Sequence, residues 1–131
     1  MSFGDYWENK ILDHVFDKAV YPAPANIYVA LSTADPGEAG GSIAEPSGGS
    51  YARVSTAPAD WNAAAAGLTS NANAITFPEA TGSWGTITYW ALYDDSSGGN
   101  FLGSGALDES KVIGSGDQLK LDAGNAEVTL T

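Results

Sequence analysis

The spacing of hydrophobic positions changes once along the chain. Up to Lys18 they recur every three or four residues. Trp7, Ile11 and Val15 form one stripe, and Leu12 and Phe16 form the neighbouring one. That spacing predicts an amphipathic helix over 2–18. Asp5 and Glu8 near its start and Lys18 near its end complement the helix dipole. Ser2 followed by Asp5 resembles a capping box. Pro22 and Pro24 forbid continuation. The simplest use of the apolar face is to cover one side of whatever follows; the alternative is to pack on a partner.

From residue 27 the period becomes two. Strands are expected at 27–32 (IYVALS), 51–56 (YARVST), 68–77 (LTSNANAITF) and 85–93 (GTITYWALY). Shorter ones are expected at 101–107, 111–113, 118–121 and 126–130, with turn residues between nearly all of them. Many short strands at such spacing predict a mainly β fold, an antiparallel β-sandwich or a barrel-like variant of it. Residues 34–50, ADPGEAGGSIAEPSGGS, hold five glycines and two prolines. Loops of this length are usually functional or mobile. There is neither an internal repeat nor a linker. The expectation is one domain over 1–131, with the helix at 2–18 and the sandwich over 27–131.

Composition narrows the function classes. A chain of 131 residues can bury roughly two thirds of its unfolded surface without staples. It has no cysteine, which excludes disulfides and thiolate metal sites. Sixteen acids against five bases give a net charge of −11. Such a chain is repelled by nucleic-acid phosphates and by anionic membrane surfaces. The charge suits solubility, or docking on a basic partner. No apolar run is long enough for a membrane-spanning helix. The opening MSFGDYWENK is polar and acidic, so no secretory signal is expected.

Candidate chemistry is thin. His14 is the sole histidine and lies within the expected helix, with no G-x-S-x-G motif to supply a nucleophile. The acid pairs Asp94/Asp95 and Asp108/Glu109 are adjacent in sequence. Neighbours on a strand point to opposite faces, so adjacency does not make them converge. The stretch YDDSSGGNFLGSGAL (93–107) lies between two apolar runs. Asp94, Asp95, Gly98, Gly99 and Asn100 read as a structural turn, because glycine takes positive φ freely and Asp and Asn bond their own backbone. A calcium loop needs six to eight converging oxygens, more than this segment offers. The glycines of 114–124 do not form a phosphate-binding loop. No catalytic residue, cofactor or metal is expected. Trp7, Trp61, Trp84 and Trp90 leave one binding alternative, a carbohydrate-binding sandwich with exposed indoles, against the simpler use of tryptophan in a core.

A resemblance spans the chain in order: FGDYWENKILDHVF, then PANIYVALSTADP, EPSGGSYARV, AITFPEATGSWGTITYWALYDD, SGGNFLGSGAL and SGDQLKLDAGNAEVTL. Together these resemble a family of small tailed-phage virion proteins, often labelled tail fibre proteins, some of them capsid decoration (cement) proteins. The resemblance implies a non-enzymatic virion structural protein and brings no catalytic residues. Fibres usually carry elongated repeats or coiled segments. The chain has neither, so the first expectation is a decoration protein that binds the outer capsid lattice and stabilises the head. The second is a tail fibre or baseplate component contacting a host receptor or other tail proteins. Expected partners are the major capsid protein or other virion proteins. A homotrimer is compatible with either role. The protein would be made in the host cytoplasm and reside in the virion, at the capsid surface first and the tail second. The candidate partner surface is the glycine-rich loop and its surroundings: Asp35, Glu38, Glu45, Tyr51, Arg53 and Trp84.

Overall fold

The period-two segments pair into three antiparallel sheets in the computed structural model, which describes residues 2–130. The elements are β1 (Ser2–Phe3), α1 (Asp5–Val15), β2 (Ile27–Ser32), β3 (Val54–Thr56), β4 (Leu68–Ser70), β5 (Ile75–Thr76), β6 (Gly85–Tyr93), β7 (Phe101–Ile113), β8 (Lys120–Leu121) and β9 (Glu127–Thr129). A five-stranded sheet has the order β1-β7-β6-β2-β3; β4 pairs with β9, and β5 with β8, as two short ribbons. The fold is therefore mainly β with one N-terminal helix of 11 residues, and the sheets do not close into a barrel.

Alternation along the strands places the core. Val29, Leu31, Trp90, Leu92 and Leu102 project from one face of the large sheet and meet Ile75, Phe77, Leu119, Leu121 and Val128 from the ribbons and their flanks. Burying each large apolar side chain stabilises the fold by about 1.5–3 kcal/mol. On the opposite face, Ala30, Ala91, Tyr93 and Phe101 form a smaller cluster, against which Tyr28 and Ile43 pack. Ile43 comes from the glycine-rich segment, so that segment covers the sheet. Gly105 is needed for close approach. A Cβ at Gly105 would stand 2.5 Å from the Trp90 ring.

Several boundaries differ from the sequence expectation, each for a local reason. The helix starts at Asp5 because Ser2 and Phe3 pair with Ser104 and Gly103 of β7. Its N-cap is Gly4, with no side-chain cap, so the expected capping box is absent. It ends at Val15, well before the prolines. Asp17 takes φ 58°, and the N–H groups of Lys18 and Ala19 donate back to the Asp13 carbonyl at 2.8 and 3.2 Å. The expected strand 68–77 is split by Asn71, which is fully buried. Its amide donates to the carbonyls of Asn73 (2.9 Å) and Asp122 (3.0 Å), and its Oδ1 accepts the Ala126 N–H (2.9 Å). Strands 101–107 and 111–113 are one continuous β7, which pairs with β6 on both sides of a bulge at Leu107–Ser110.

Candidate functional site

The expected partner surface turns out to bond largely to itself. The strand expected at 51–56 is only Val54–Thr56; Tyr51 and Arg53 lie just before it, and both reach Glu45. Arg53 grips that carboxylate with two parallel bonds, Nη2 to Oε1 and Nε to Oε2, each 2.9 Å. Its Nη1 donates to the carbonyls of Asp95 and Gly98, both at 2.9 Å. The guanidinium carbon lies 3.7 Å from the centroid of the Tyr93 ring. The Tyr51 hydroxyl donates to Glu45 Oε2 at 2.6 Å and accepts the Leu31 N–H at 3.0 Å. Trp84 packs edge-on against Tyr51, and its Nε1 donates to the Gly49 carbonyl at 2.9 Å. The Arg53 side chain is only 8% exposed and that of Glu45 23%.

The electrostatics follow from this packing. Burial pushes the Glu45 carboxyl up, but the hydrogen bonds from Arg53 and Tyr51, with the charge of Arg53, outweigh it and hold it below its ordinary value. Burial and the bond to Glu45 push the Tyr51 hydroxyl far above its ordinary range. Burial pushes Arg53 down, but the hydrogen bonds to Glu45 and its charge outweigh it and raise Arg53 above its ordinary value.

The remaining loop residues are also fastened. Asp35 accepts the Gly37 N–H at 3.0 Å and the Tyr89 hydroxyl at 3.3 Å. Ser32 Oγ donates to the Ala34 carbonyl and accepts the Ala44 N–H at 3.0 Å, bridging two points of the segment. Gly40 has φ 74°, and a Cβ there would lie 2.5 Å from the Phe101 ring. The Glu38 carbonyl accepts the Asp5 N–H at 3.0 Å. The Glu38 carboxylate is exposed, and the carboxylates of Asp5, Glu8 and Glu38 bring one oxygen each within 4.8 Å of the others. That corner is strongly negative, at the helix end whose dipole favours acids.

The neighbouring turn has a comparable internal logic. Asp94 accepts the Asn100 N–H at 2.7 Å and its side-chain amide at 2.8 Å. Gly98 and Gly99 take φ of 61° and 73°, and Asp95 presents the carbonyl that Arg53 holds. The carboxylates of Asp108 and Glu109 are exposed on β7.

The helix behaves differently. Tyr6, Trp7 and Ile11 are half-buried, and Phe3 stacks on Trp7 at 4.8 Å. Leu12, Val15 and Phe16 turn outward and are 55%, 68% and 68% exposed. They sit at i, i+3 and i+4, so they form one contiguous apolar patch. The other large exposed apolar residues, Val20, Val112 and Leu130, lie in separate segments. His14 is exposed, and its Nδ1 accepts the Tyr21 N–H at 3.2 Å. The tryptophans supply no exposed sugar platform. Trp84 and Trp90 are buried, while Trp7 and Trp61 are half-buried against the core.

The expectation left two uses for the helix's apolar face, covering the sheet or packing on a partner, and both occur: Trp7 and Ile11 are half-buried, while Leu12, Val15 and Phe16 are exposed. The arrangement as a whole offers contact surface. No described helix is long and apolar enough to cross a membrane. No curated protein matches the chain. The model of one family, described as podophage GP4 fiber I protein gp80, matches residues 2–129.

Proposed function

Because the chain belongs to the podophage GP4 fiber I protein gp80 family, we propose that this phage virion fibre protein is a tail-fibre component mounted on a basic-rimmed apolar surface of another virion protein. The contact is the outward face of α1. The observation that carries this reading is the exposed Leu12–Val15–Phe16 patch, where three large apolar side chains adjoin at the surface. An apolar patch of this kind is what interfaces cover.

Charge selects the partner. Asp13 lies within the span of the patch and Asp17 directly after it, and the whole chain carries −11. A second copy would bring like charge to like charge, whereas a surface with a basic rim is attracted and steered. A cement protein bridging several capsid subunits needs adhesive surfaces on several sides. Here three of the six large exposed apolar side chains among the described residues adjoin on α1 and the others lie singly in other segments, which suits mounting through that one face. The family description also favours a fibre over the cement role.

The test is to separate heads from tails in purified virions and to quantify this chain against the major capsid protein in each fraction. Tail placement gives few copies, all with the tails. A ratio of order one in the heads would overturn it and restore the cement reading.

A further inference from the structure

A second surface feature lies on the other side of α1. The helix, the connection after it, the start of β2 and the turn after β6 enclose an open recess of about 470 Å³. Ligand pockets commonly measure ~300–1,000 Å³. Three tyrosines from three different elements line it: Tyr6 of α1, Tyr21 of the connection and Tyr28 of β2. Lys10, Asn26 and Asp94 supply the polar groups.

The recess is preformed. The connection is tied to the helix by the bond from the Tyr21 N–H to His14, and Pro22 and Pro24 stiffen it. Asp94 is held by its two bonds from Asn100. Lys10 makes no salt bridge among the described residues; its ammonium sits 5.5 Å from the centroid of the Tyr6 ring.

Chemistry restricts the occupant. A wholly apolar ligand would strip water from the Lys10 ammonium without replacing its hydrogen bonds, and from the lone pairs and N–H left over on Asp94, which accepts from Asn100, and Asn26, which donates to Ser55 Oγ at 3.4 Å. An anion would meet Asp94 and the field of a chain at −11. A cation would meet Lys10. A neutral molecule with a flat apolar face and a rim of hydroxyls satisfies every group: the face lies on tyrosine, and the hydroxyls bond the ammonium, the amide and the carboxylate. We propose that the recess between α1 and β2 binds a neutral pyranose sugar, with Tyr6, Tyr21 and Tyr28 as the ring platform and Lys10, Asn26 and Asp94 as hydroxyl partners. This differs from a tryptophan-based lectin, whose indoles are buried here, and it does not depend on where the chain sits in the virion.

The test uses the purified full chain, labelled with nitrogen-15 and titrated into the millimolar range. The probes are D-glucose, D-galactose, N-acetyl-D-glucosamine and L-rhamnose, with open-chain sorbitol and inorganic phosphate as controls. The expected result is a saturable shift of the Lys10, Asn26 and Tyr28 amides with at least one pyranose and none with sorbitol. Tyr28→Ala should weaken that binding by roughly tenfold or more. Because Tyr28 also packs on the sheet, Asn26→Ala serves as the second variant. It should weaken binding several-fold while leaving the remaining spectrum in place. No saturable shift with any pyranose, an equal response to sorbitol, a response to phosphate alone, or shifts confined to another surface would each overturn the proposal.

Discussion

The glycine-rich segment 34–50 and the N-terminal helix exchange the roles that their sequences suggest. The segment has the composition of a mobile loop, yet Glu45 is clamped by Arg53 and Tyr51, Ile43 packs on the sheet, and Ser32 bridges Ala34 to Ala44. The helix has the composition of a core cover, yet none of its residues is fully buried and its last turn points apolar side chains at solvent. Order in a loop is set by what grips it from elsewhere in the chain. Burial of a helix is set by how wide a surface it is given. Five apolar positions across two stripes are more than one sheet edge can cover.

The comparison breaks most sharply at Arg53. Arg53→Ala leaves Glu45 partly buried and uncompensated and frees two turn carbonyls. It should destabilise the fold by about 3–5 kcal/mol in denaturant unfolding. A loss below about 1 kcal/mol would mean that the segment is not held as described. Tyr51→Phe removes a hydroxyl that donates to Glu45 and accepts from Leu31. The expected loss is about 1–3 kcal/mol by the same measurement.

Acid should act on the same lock. Glu45 is held below its ordinary value. Its contribution is therefore present above the unfolded value of about 4.3 and is lost as pH falls through the lower folded value. Melting temperature should drop across that window, and Glu45→Gln should reduce the slope there. An unchanged slope would remove Glu45 from the account. The smallest stability effect is expected on the helix. Replacing Leu12, Val15 and Phe16 together with serine should change folding free energy by only about 0.5 kcal/mol per site or less, because exposed side chains contribute little to the core. A large loss would show that the patch is packed within the chain.

Much of the fold could be read from residue spacing. The β6 segment GTITYWALY and the β2 segment IYVALS were expected with the bounds that the structure has. The mainly β class with one N-terminal helix was also expected. The break at Asn71 was not, because a buried asparagine bonding the nearby Asn73 carbonyl and the distant Asp122 and Ala126 backbone leaves no periodic trace. The join of 101–107 to 111–113 was hidden by Asp108, Glu109 and Ser110, which are polar because they are solvent-facing on an otherwise continuous strand. At the candidate site, Glu45, Tyr51, Arg53 and Trp84 were singled out as outward contacts. They are drawn together into one bonded cluster, with Trp84 buried and Glu45, Tyr51 and Arg53 half-buried, through bonds that cross turns and that spacing does not reveal. The outward side of α1 was half legible: its residues stood out, but their direction depends on how β1 seats the helix.

The account centres on that outward side. The direct measurement is incorporation of the Leu12→Ser, Val15→Ser, Phe16→Ser chain into virions, by complementing a phage that lacks the wild-type gene and quantifying the chain per particle. The account predicts a folded protein that is absent from, or strongly depleted in, purified virions. Incorporation at the wild-type level would contradict it and send the search for the attachment surface elsewhere on the molecule.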